Sequence, residues 1–268
     1  MAEGMHGLPA PGAAATLVLP TYNAAAFIAA TVVRISGFLE AHPDWRALFV
    51  LDGCTDDTAG ILAEAAIGAP RLDVRIHETN RGKGHAIRTG FDAARTPFLA
   101  FTDVDLAYDP EDAVRLVALL REGADVAVAN RASPASRYWV SPGDFPSLYR
   151  RHLLSRLYNA WVRTVLPIAV RDTQAGLKAV TATAWRRLGP TLAVDGFAFD
   201  VALLARASQA GLRVVEASVS FRYVDPTTVV MVRHGWHMVF AVLRLRRAMR
   251  RGGRARPVPG RARGTLLL

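Results

Sequence analysis

Short apolar runs alternate with longer amphipathic segments through the first half of the chain. The apolar runs, which are typical of strands buried in a parallel sheet, cover residues 15–19, 47–51, 98–102 and 124–129, and residues 72–76 are predicted to form a further strand. Helical periodicity follows over about 24–41, from Thr55 or Asp56 to 66, and over 85–94, and Pro110 suits the first position of the next helix. This alternation predicts an α/β fold with a mostly parallel central sheet and helices on both faces.

The regular alternation of apolar and amphipathic segments ends after Asn130. Residues 132–146 are rich in proline and serine, which predicts a long, mobile and functional loop. Beyond it we expect a basic helix over 147–165, a polar connection over 171–178, a helix over 197–210 and strands over 213–216 and 219–223.

Composition is that of a globular protein, with 268 residues of which 51% are hydrophobic and 21% charged. We expect a disordered lead-in over 1–14, one α/β domain over 15–225, a basic amphipathic helix over 226–251 and a disordered arginine-rich tail over 252–268. A lone Cys54 rules out an internal disulfide and fits a reducing compartment. The start of the chain does not resemble a signal peptide, and no apolar run is long enough for a spanning helix.

The net charge of +10 is concentrated at the end of the chain, because residues 226–268 hold ten arginines and no acidic residue. A basic helical stripe is formed by Arg233, His237, Arg244, Arg247 and Arg251, and we expect Trp236, Val239, Phe240 and Leu243 to lie away from it. Such a helix suits the surface of an anionic membrane. A helix packed on the core with solvated arginines is the alternative. Nucleic-acid binding is not expected, because no readout module is recognisable and the body is neutral.

Two carboxylates close the strand predicted over 98–102. Asp103 and Asp105 are separated by one residue and lie where open α/β sheets bind ligands, at the carboxyl end of a strand. Two hard oxygen ligands suit Mg²⁺ or Mn²⁺ shared with a diphosphate. An acidic turn without a ligand is the other interpretation of this pair taken alone.

Polar motifs follow each early strand in order: P-T-Y-N from Pro20, D-G-C-T-D-D-T from Asp52, N-R-G-K-G from Asn80 and T-D-V-D-L from Thr102. Together they resemble the inverting family 2 glycosyltransferases of GT-A fold. The later elements D-T-Q-A-G-L-K from Asp172 and G-F-A-F-D-V-A-L-L from Gly196 resemble the polyprenyl-phosphate hexose synthases, the glucosyltransferase branch most closely. The chain departs from the family at Ala107, Ala202 and 225–228.

The resemblance implies roles for individual residues. Asp105 would bind the metal, Asp103 the metal and the ribose, Asp52 the nucleobase, and Lys83 the phosphates, with Pro20, Tyr22 and Asn23 at the nucleotide pocket. The residues that match acceptor-phosphate groups are Arg131, Arg151, Ser155 and Arg222. Asp200 is a candidate base, an orienting carboxylate or a helix cap.

These features predict transfer of a hexose from a nucleoside diphosphate sugar to a polyprenyl phosphate, with inversion, by a protein peripheral to the cytoplasmic face of the membrane. UDP-glucose is the favoured donor and GDP-mannose the alternative. A lipid phosphate is already ionised and needs cations, whereas a hydroxyl acceptor needs a base such as Asp200. The rival functions are a family 2 transferase with a saccharide or small hydroxyl acceptor, and a catalytically silent nucleotide-sugar binder.

Overall fold

A computed structural model describes the backbone of residues 13–139, 145–222 and 231–251. Side chains are described within these ranges except for 145–154, 231–237 and 251. Most of the predicted lead-in over 1–14, the tail over 252–268 and the end of the predicted domain over 223–225 lie outside the described residues, so these assignments stay predictions.

The central sheet has seven strands in the order β3-β2-β1-β4-β7-β5-β8. Its strands are β1 (Ala15–Thr21), β2 (Trp45–Asp52), β3 (Leu72–His77), β4 (Phe98–Phe101), β5 (Val126–Ala129), β7 (Lys178–Thr181) and β8 (Val214–Ala217). Only β7 runs antiparallel to its neighbours β4 and β5, so the predicted mostly parallel sheet is confirmed. A separate pair, β6 (Arg137–Trp139) with β9 (Ser220–Arg222), is parallel.

Helices cover the sheet. They are α1 (Ile28–Ala41), α2 (Thr58–Ala66), α3 (Lys83–Ala93), α4 (Pro110–Arg121), α5 (Phe145–Val165), α6 (Ala182–Leu188), α7 (Phe199–Gln209) and α8 (Met231–Arg251). Strand β2 is buried along its whole length, as its continuous apolar run requires. Helix α3 contacts β1 and β2, and Gly90 lets it approach closely, because a Cβ there would collide with Val18. The glycine therefore sets how closely α3 packs on the sheet.

Several elements differ from the sequence predictions. Strand β7 and helix α6 were not predicted, because Lys178 at the start of β7 interrupts the apolar pattern although it is fully buried. The segment predicted to be a loop contains strand β6, whose hydrogen-bonding partner β9 is distant in sequence. Helix α1 begins at Ile28, later than expected, because Asn23 has a positive φ of 47° and the residues after it form turns.

Helix α8 packs on the body of the protein through its apolar side. Val242 and Leu245 are buried, and the helix contacts α5 and α7. Phe240 is 57% exposed and lies four and seven residues before Arg244 and Arg247, which are exposed too. The expectation that Phe240 lies away from the arginine stripe was therefore wrong. Among the described residues, no helix has the length and hydropathy needed to cross a membrane.

Candidate active site

Four charged side chains form one continuous chain of contacts at the carboxyl end of β4. Lys83 Nζ lies 2.7 Å from Asp103 Oδ1 and 3.4 Å from Asp200 Oδ2, and Lys178 Nζ lies 2.5 Å from Asp200 Oδ1. The antiparallel register brings Lys178 opposite Phe101, the last residue of β4. Lys83 belongs to the first turn of α3 and Asp200 to that of α7. Four distant segments thus meet beside the paired carboxylates.

Burial and ion pairing act in opposite directions on these lysines. Burial alone would lower the pKa of Lys83, but the charges of Asp103 and Asp200 outweigh it and raise that pKa. The pKa of Lys178 is lowered, chiefly by burial, despite its contact with Asp200. Of these four charged side chains, that of Asp103 is the most exposed to solvent, with 38% of it accessible. The Asp103 carboxylate is therefore accessible from solvent, while the ammonium group of Lys83 contacts it from the less exposed side.

Asp105 completes the pair of carboxylates in a tight turn. Its Oδ1 accepts a hydrogen bond of 3.0 Å from the backbone N–H of Ala107, and Leu106 has a positive φ of 48°. Thr31 holds the turn from α1 by donating its hydroxyl to the Val104 carbonyl at 2.9 Å. Burial, and then the nearby charge of Asp103, raise the pKa of Asp105 to about 6.

The two carboxylates fit a divalent cation. Two negative groups lie close together with one carboxylate largely buried, and Lys83 neutralises only part of this charge. The backbone of Gly176 lies directly against Asp103, because a Cβ at position 176 would lie 1.9 Å from Asp103 Oδ2. An all-oxygen donor set suits Mg²⁺ or Mn²⁺. Asp103 and Asp105 are thus the residues that would hold such an ion.

Asp52 is engaged by the loop that follows β3. Its carboxylate accepts hydrogen bonds from the backbone N–H groups of Arg81 and Gly82, the latter at 2.6 Å, and lies 3.1 Å from His77 Nδ1. Gly82 needs its positive φ of 107° to turn the chain into α3. Asp52 therefore anchors the segment that carries Lys83. A contact between Asp52 and a nucleobase stays a prediction.

The other residues predicted for the nucleotide pocket lie at the end of β1. Asn23 Oδ1 accepts a 2.8 Å hydrogen bond from the N–H of Thr55, which joins the loops after β1 and β2. Tyr22 is 51% exposed, and Pro20 is partly buried in β1 next to Val50 of β2. These positions form the rim of the cleft on the β1–β2 side, and their nucleotide contacts stay predictions.

Arg131, predicted to bind the acceptor phosphate, pairs with a carboxylate. Its Nε and Nη2 donate to the two oxygens of Asp172 at 2.7 and 3.0 Å, and its guanidinium lies over the Phe221 ring. Burial would raise the pKa of Asp172, but the charge of Arg131 outweighs it and holds that pKa below its usual range. Arg131 is thus mainly committed to this ion pair, which ties the end of β5 to the loop before β7.

The remaining acceptor residues are only partly described. Ser155 lies in α5 one turn before Asn159, whose side-chain oxygen accepts a 2.9 Å hydrogen bond from the N–H of Thr173. Arg222 is exposed at the end of β9. The side chain of Arg151, one turn before Ser155, lies outside the described residues.

The structure therefore brings together Asp103, Asp105, Lys83 and Asp200, and places Pro20, Tyr22, Asn23 and Asp52 around the neighbouring strand ends. Asp200 lies in the first turn of α7, and its Oδ1 accepts a hydrogen bond from Lys178 Nζ. Sequence reasoning assigned no role to Gly176, Lys178 or Asp172. All three lie in the polar D-T-Q-A-G-L-K segment, which was the signal available.

Comparison with known proteins identifies the family and the fold of the chain. The sequence profile of glycosyl transferase family 2 matches residues 16–181. The chain is 32% identical over 240 residues to glycosyltransferase AglD of Haloferax volcanii, covering 88% of this chain but 37% of that protein. It is 30% identical over 213 residues to polyprenol monophosphomannose synthase of Mycolicibacterium smegmatis, covering 76% of each chain. A dolichyl-phosphate β-glucosyltransferase of Dictyostelium discoideum is 24% identical over 75% of this chain and 62% of its own length.

Among solved structures, the mannosyltransferase PcManGT from Pyrobaculum calidifontis, in complex with GDP-Man and Mn²⁺, aligns with a TM-score of 0.59. The alignment covers 91% of this chain and 65% of that one at 19% identity, so the likeness concerns the fold. The expected GT-A fold is confirmed. On the family profile and the relatives that share about a third of its residues, the chain belongs to glycosyltransferase family 2.

Proposed function

We propose that the protein transfers a hexose from a nucleoside diphosphate sugar to a polyprenyl phosphate with inversion at the anomeric carbon. The observation that carries this proposal is the pairing of both Asp200 oxygens with lysines, at 3.4 Å to the partly buried Lys83 and 2.5 Å to the fully buried Lys178. A hydroxyl acceptor needs a carboxylate that is free to accept a proton. Asp200 is 5% exposed and is held as a counter-ion, which supports an acceptor that is already ionised.

The donor would be held at the carboxyl ends of β1, β2 and β4. Asp103 and Asp105 would hold Mg²⁺ or Mn²⁺, which neutralises the developing charge on the leaving diphosphate when bound. Lys83 would contribute a second positive charge beside Asp103, fixed in place by Asp200. Asp200 is thus a positioning residue for Lys83 in this scheme.

The reaction balances without a general base. A phosphate oxygen of the acceptor forms a bond to the anomeric carbon from the face opposite the leaving group. The bond from that carbon to the diphosphate oxygen breaks, and its electron pair leaves with the nucleoside diphosphate. No proton has to be removed from the acceptor, so cationic side chains suffice on its side of the cleft. Arg151, Ser155 and Arg222 are our candidates, with Arg131 supporting the loop beneath them.

Two relatives support the lipid acceptor, because their names are polyprenol monophosphomannose synthase and dolichyl-phosphate β-glucosyltransferase. The D-T-Q-A-G element favours UDP-glucose as the donor, with GDP-mannose as the alternative. The exposed stripe of Phe240, Arg244 and Arg247 on α8 suits an anionic membrane surface, where the lipid substrate resides. We therefore place the protein at the cytoplasmic face of the membrane.

The test is a matrix of two donors and two acceptors in the presence of Mn²⁺. UDP-glucose and GDP-mannose are each offered with a short-chain polyprenyl phosphate and with the matched polyprenol that lacks the phosphate. Transfer to the phosphate alone supports the proposal, and the stereochemistry of the product checks inversion. Transfer to the polyprenol or to a saccharide would overturn the acceptor assignment. Nucleotide-sugar binding with no transfer to any acceptor would indicate a silent binder.

Two variants of one helix sharpen this test. Arg151→Ala should raise the acceptor KM and lower kcat/KM by roughly tenfold to a hundredfold, because a charged hydrogen bond contributes about 1.5–3 kcal/mol. Arg156→Ala, at an exposed position on another face of α5, is the matched control and should change neither. Donor affinity should be unaffected in both. If Arg151→Ala has normal transfer kinetics and a normally folded Asp200→Asn protein is inactive, a hydroxyl acceptor would be favoured.

A further inference from the structure

We propose that Asp52, His77 and His85 form a second metal site, selective for a transition ion of the zinc class and distinct from the Asp103–Asp105 pair. The three residues come from different elements: the end of β2, the end of β3 and the first turn of α3. One possible ligand atom from each lies within 4.8 Å of the others. The site shares Asp52 with the predicted nucleobase pocket, but the proposal does not rest on the proposed function.

The donor distances are close to those of a tetrahedral site. Asp52 Oδ1 lies 3.1 Å from His77 Nδ1 and 3.9 Å from His85 Nδ1. Metal–ligand bonds of about 2.0–2.1 Å at tetrahedral angles place neighbouring donors about 3.3–3.4 Å apart. The two distances from Asp52 bracket this value, and the ligand atoms of all three residues lie within 4.8 Å of one another, so the side chains would have to draw together around an ion. The imidazole rings lie with their centroids 4.6 Å apart and are inclined by 59°.

A buried nitrogen without a partner points to a ligand. His85 Nδ1 has no hydrogen-bond partner among the residues that the structure describes, although the atom is inaccessible to solvent. Leaving such a group unpaired is unfavourable, and a metal ion would satisfy it. Burial, and then the charge of Arg81, lower the pKa of His85, which favours the neutral form of its ring.

The carboxylate is already held for this role. Asp52 Oδ2 accepts hydrogen bonds from the N–H groups of Gly82 at 2.6 Å and Arg81 at 3.1 Å, which fix its orientation as outer-shell partners of a metal ligand do. The side chains of His77 and His85 remain 16% and 15% exposed, which leaves a path for an ion and a water as fourth ligand.

The two sites differ in donor chemistry. Two imidazole nitrogens with one carboxylate oxygen favour Zn²⁺, Co²⁺ or Ni²⁺, whereas the all-oxygen Asp103–Asp105 pair favours Mg²⁺ or Mn²⁺. An ion held by Asp52, His77 and His85 would link β2, β3 and α3 around the loop that carries Lys83. Its expected effect is to stabilise the fold at that loop.

The experiment is a Co²⁺ titration in saturating Mg²⁺, followed by visible d–d absorption, of the full chain carrying Asp105→Asn. We expect one equivalent of Co²⁺ with the intense absorption of a tetrahedral site, displaced by Zn²⁺, and a Zn²⁺-dependent rise in Tm. Adding His85→Gln or His77→Gln should weaken Co²⁺ binding by at least about tenfold, whereas His42→Gln, at a histidine paired with Glu111, should leave it unchanged.

If the Asp105→Asn protein gives no tetrahedral Co²⁺ absorption, the proposal is overturned, whatever the histidine variants show. Equal Co²⁺ affinity in folded His77→Gln and His85→Gln proteins would do the same, because the ion would then lie elsewhere. Each outcome is independent of glycosyl transfer, so failure of the proposed function would leave the result interpretable.

Discussion

Gly176 lies against the carboxylate of Asp103, and a Cβ at position 176 would lie 1.9 Å from Asp103 Oδ2. The N–H of Gly176 also donates a hydrogen bond of 3.2 Å to the hydroxyl of buried Tyr108. This bond holds the backbone at position 176 in place. A single methyl group at this position would have to displace a predicted metal ligand. The loop before β7 therefore shapes the site from the opposite side to Lys83.

Gly176→Ala should reduce transfer by about a hundredfold, because displacing a reacting or ligand group by about 1 Å has an effect of that size. Kinetics with Mn²⁺ varied at fixed donor will check it, and the apparent Mn²⁺ affinity should fall as well. Gly37→Ala is the matched control, because a Cβ at Gly37 meets nothing within 4 Å. A Gly176→Ala enzyme with normal turnover would contradict the close approach.

Asp105→Asn should abolish Mn²⁺ binding and transfer while leaving the fold intact. Loss of one anionic ligand from a site with two removes most of its attraction for a divalent cation. Calorimetric Mn²⁺ titration and circular dichroism provide the two measurements. Asp44→Asn, which alters an exposed carboxylate paired with Arg121, should behave as wild type. Undiminished Mn²⁺ binding by Asp105→Asn would show that the Asp103–Asp105 pair is not the metal site.

Lys178→Met should lower the free energy of unfolding by about 3 kcal/mol, because it removes one partner of a buried ion pair. Urea denaturation will measure the loss. Adding Asp200→Asn should then cost less than Asp200→Asn alone, with a coupling of up to about 3 kcal/mol. The exposed Arg186→Met is the control for loss of one positive charge. Strict additivity of the two buried changes would show that Lys178 and Asp200 do not stabilise each other.

Stability should depend on pH through the Arg131–Asp172 ion pair. Because the pKa of Asp172 is lower in the folded than in the unfolded chain, its contribution is complete above the ordinary aspartate pKa of about 3.9. It is lost as pH falls below that value, while Arg131 stays charged throughout. The stabilities of wild type and Asp172→Asn should therefore converge progressively as pH falls below about 3.9. A constant difference over this range would contradict the assignment, and Asp57→Asn serves as control.

The membrane assignment predicts that the triple variant Phe240→Ser, Arg244→Glu, Arg247→Glu binds anionic vesicles more weakly without unfolding. Basic side chains near such a surface contribute about 1 kcal/mol each, so the loss should be at least about thirtyfold at low salt. Vesicle co-sedimentation provides the measurement. Arg186→Glu with Arg187→Glu, on exposed positions of α6, changes the charge equally elsewhere and should have little effect. Equal binding by both variants would argue against α8 as the contact.

The sequence by itself determined most of the β1–β5 framework and the position of the paired carboxylates. Continuous apolar runs favour strands buried on both faces, and polar motifs after parallel strands meet at one edge of the sheet. Asp103, Asp105 and Lys83 could therefore be assigned to one site before any contact was known, and the family followed from the order of the motifs.

The tertiary structure decided what local patterns do not encode. In the sequence, Lys178 interrupts an apolar run. In the structure it is fully buried, because Asp200, 22 residues later, supplies the opposite charge. Asp200 had several interpretations until Lys83 and Lys178 were placed on either side of it. The apolar side of α8 could have faced a membrane or the core, and contacts with α5 and α7 settled that Val242 and Leu245 face the core. Charge pairing and burial depend on partners distant in sequence, so only the folded chain specifies them.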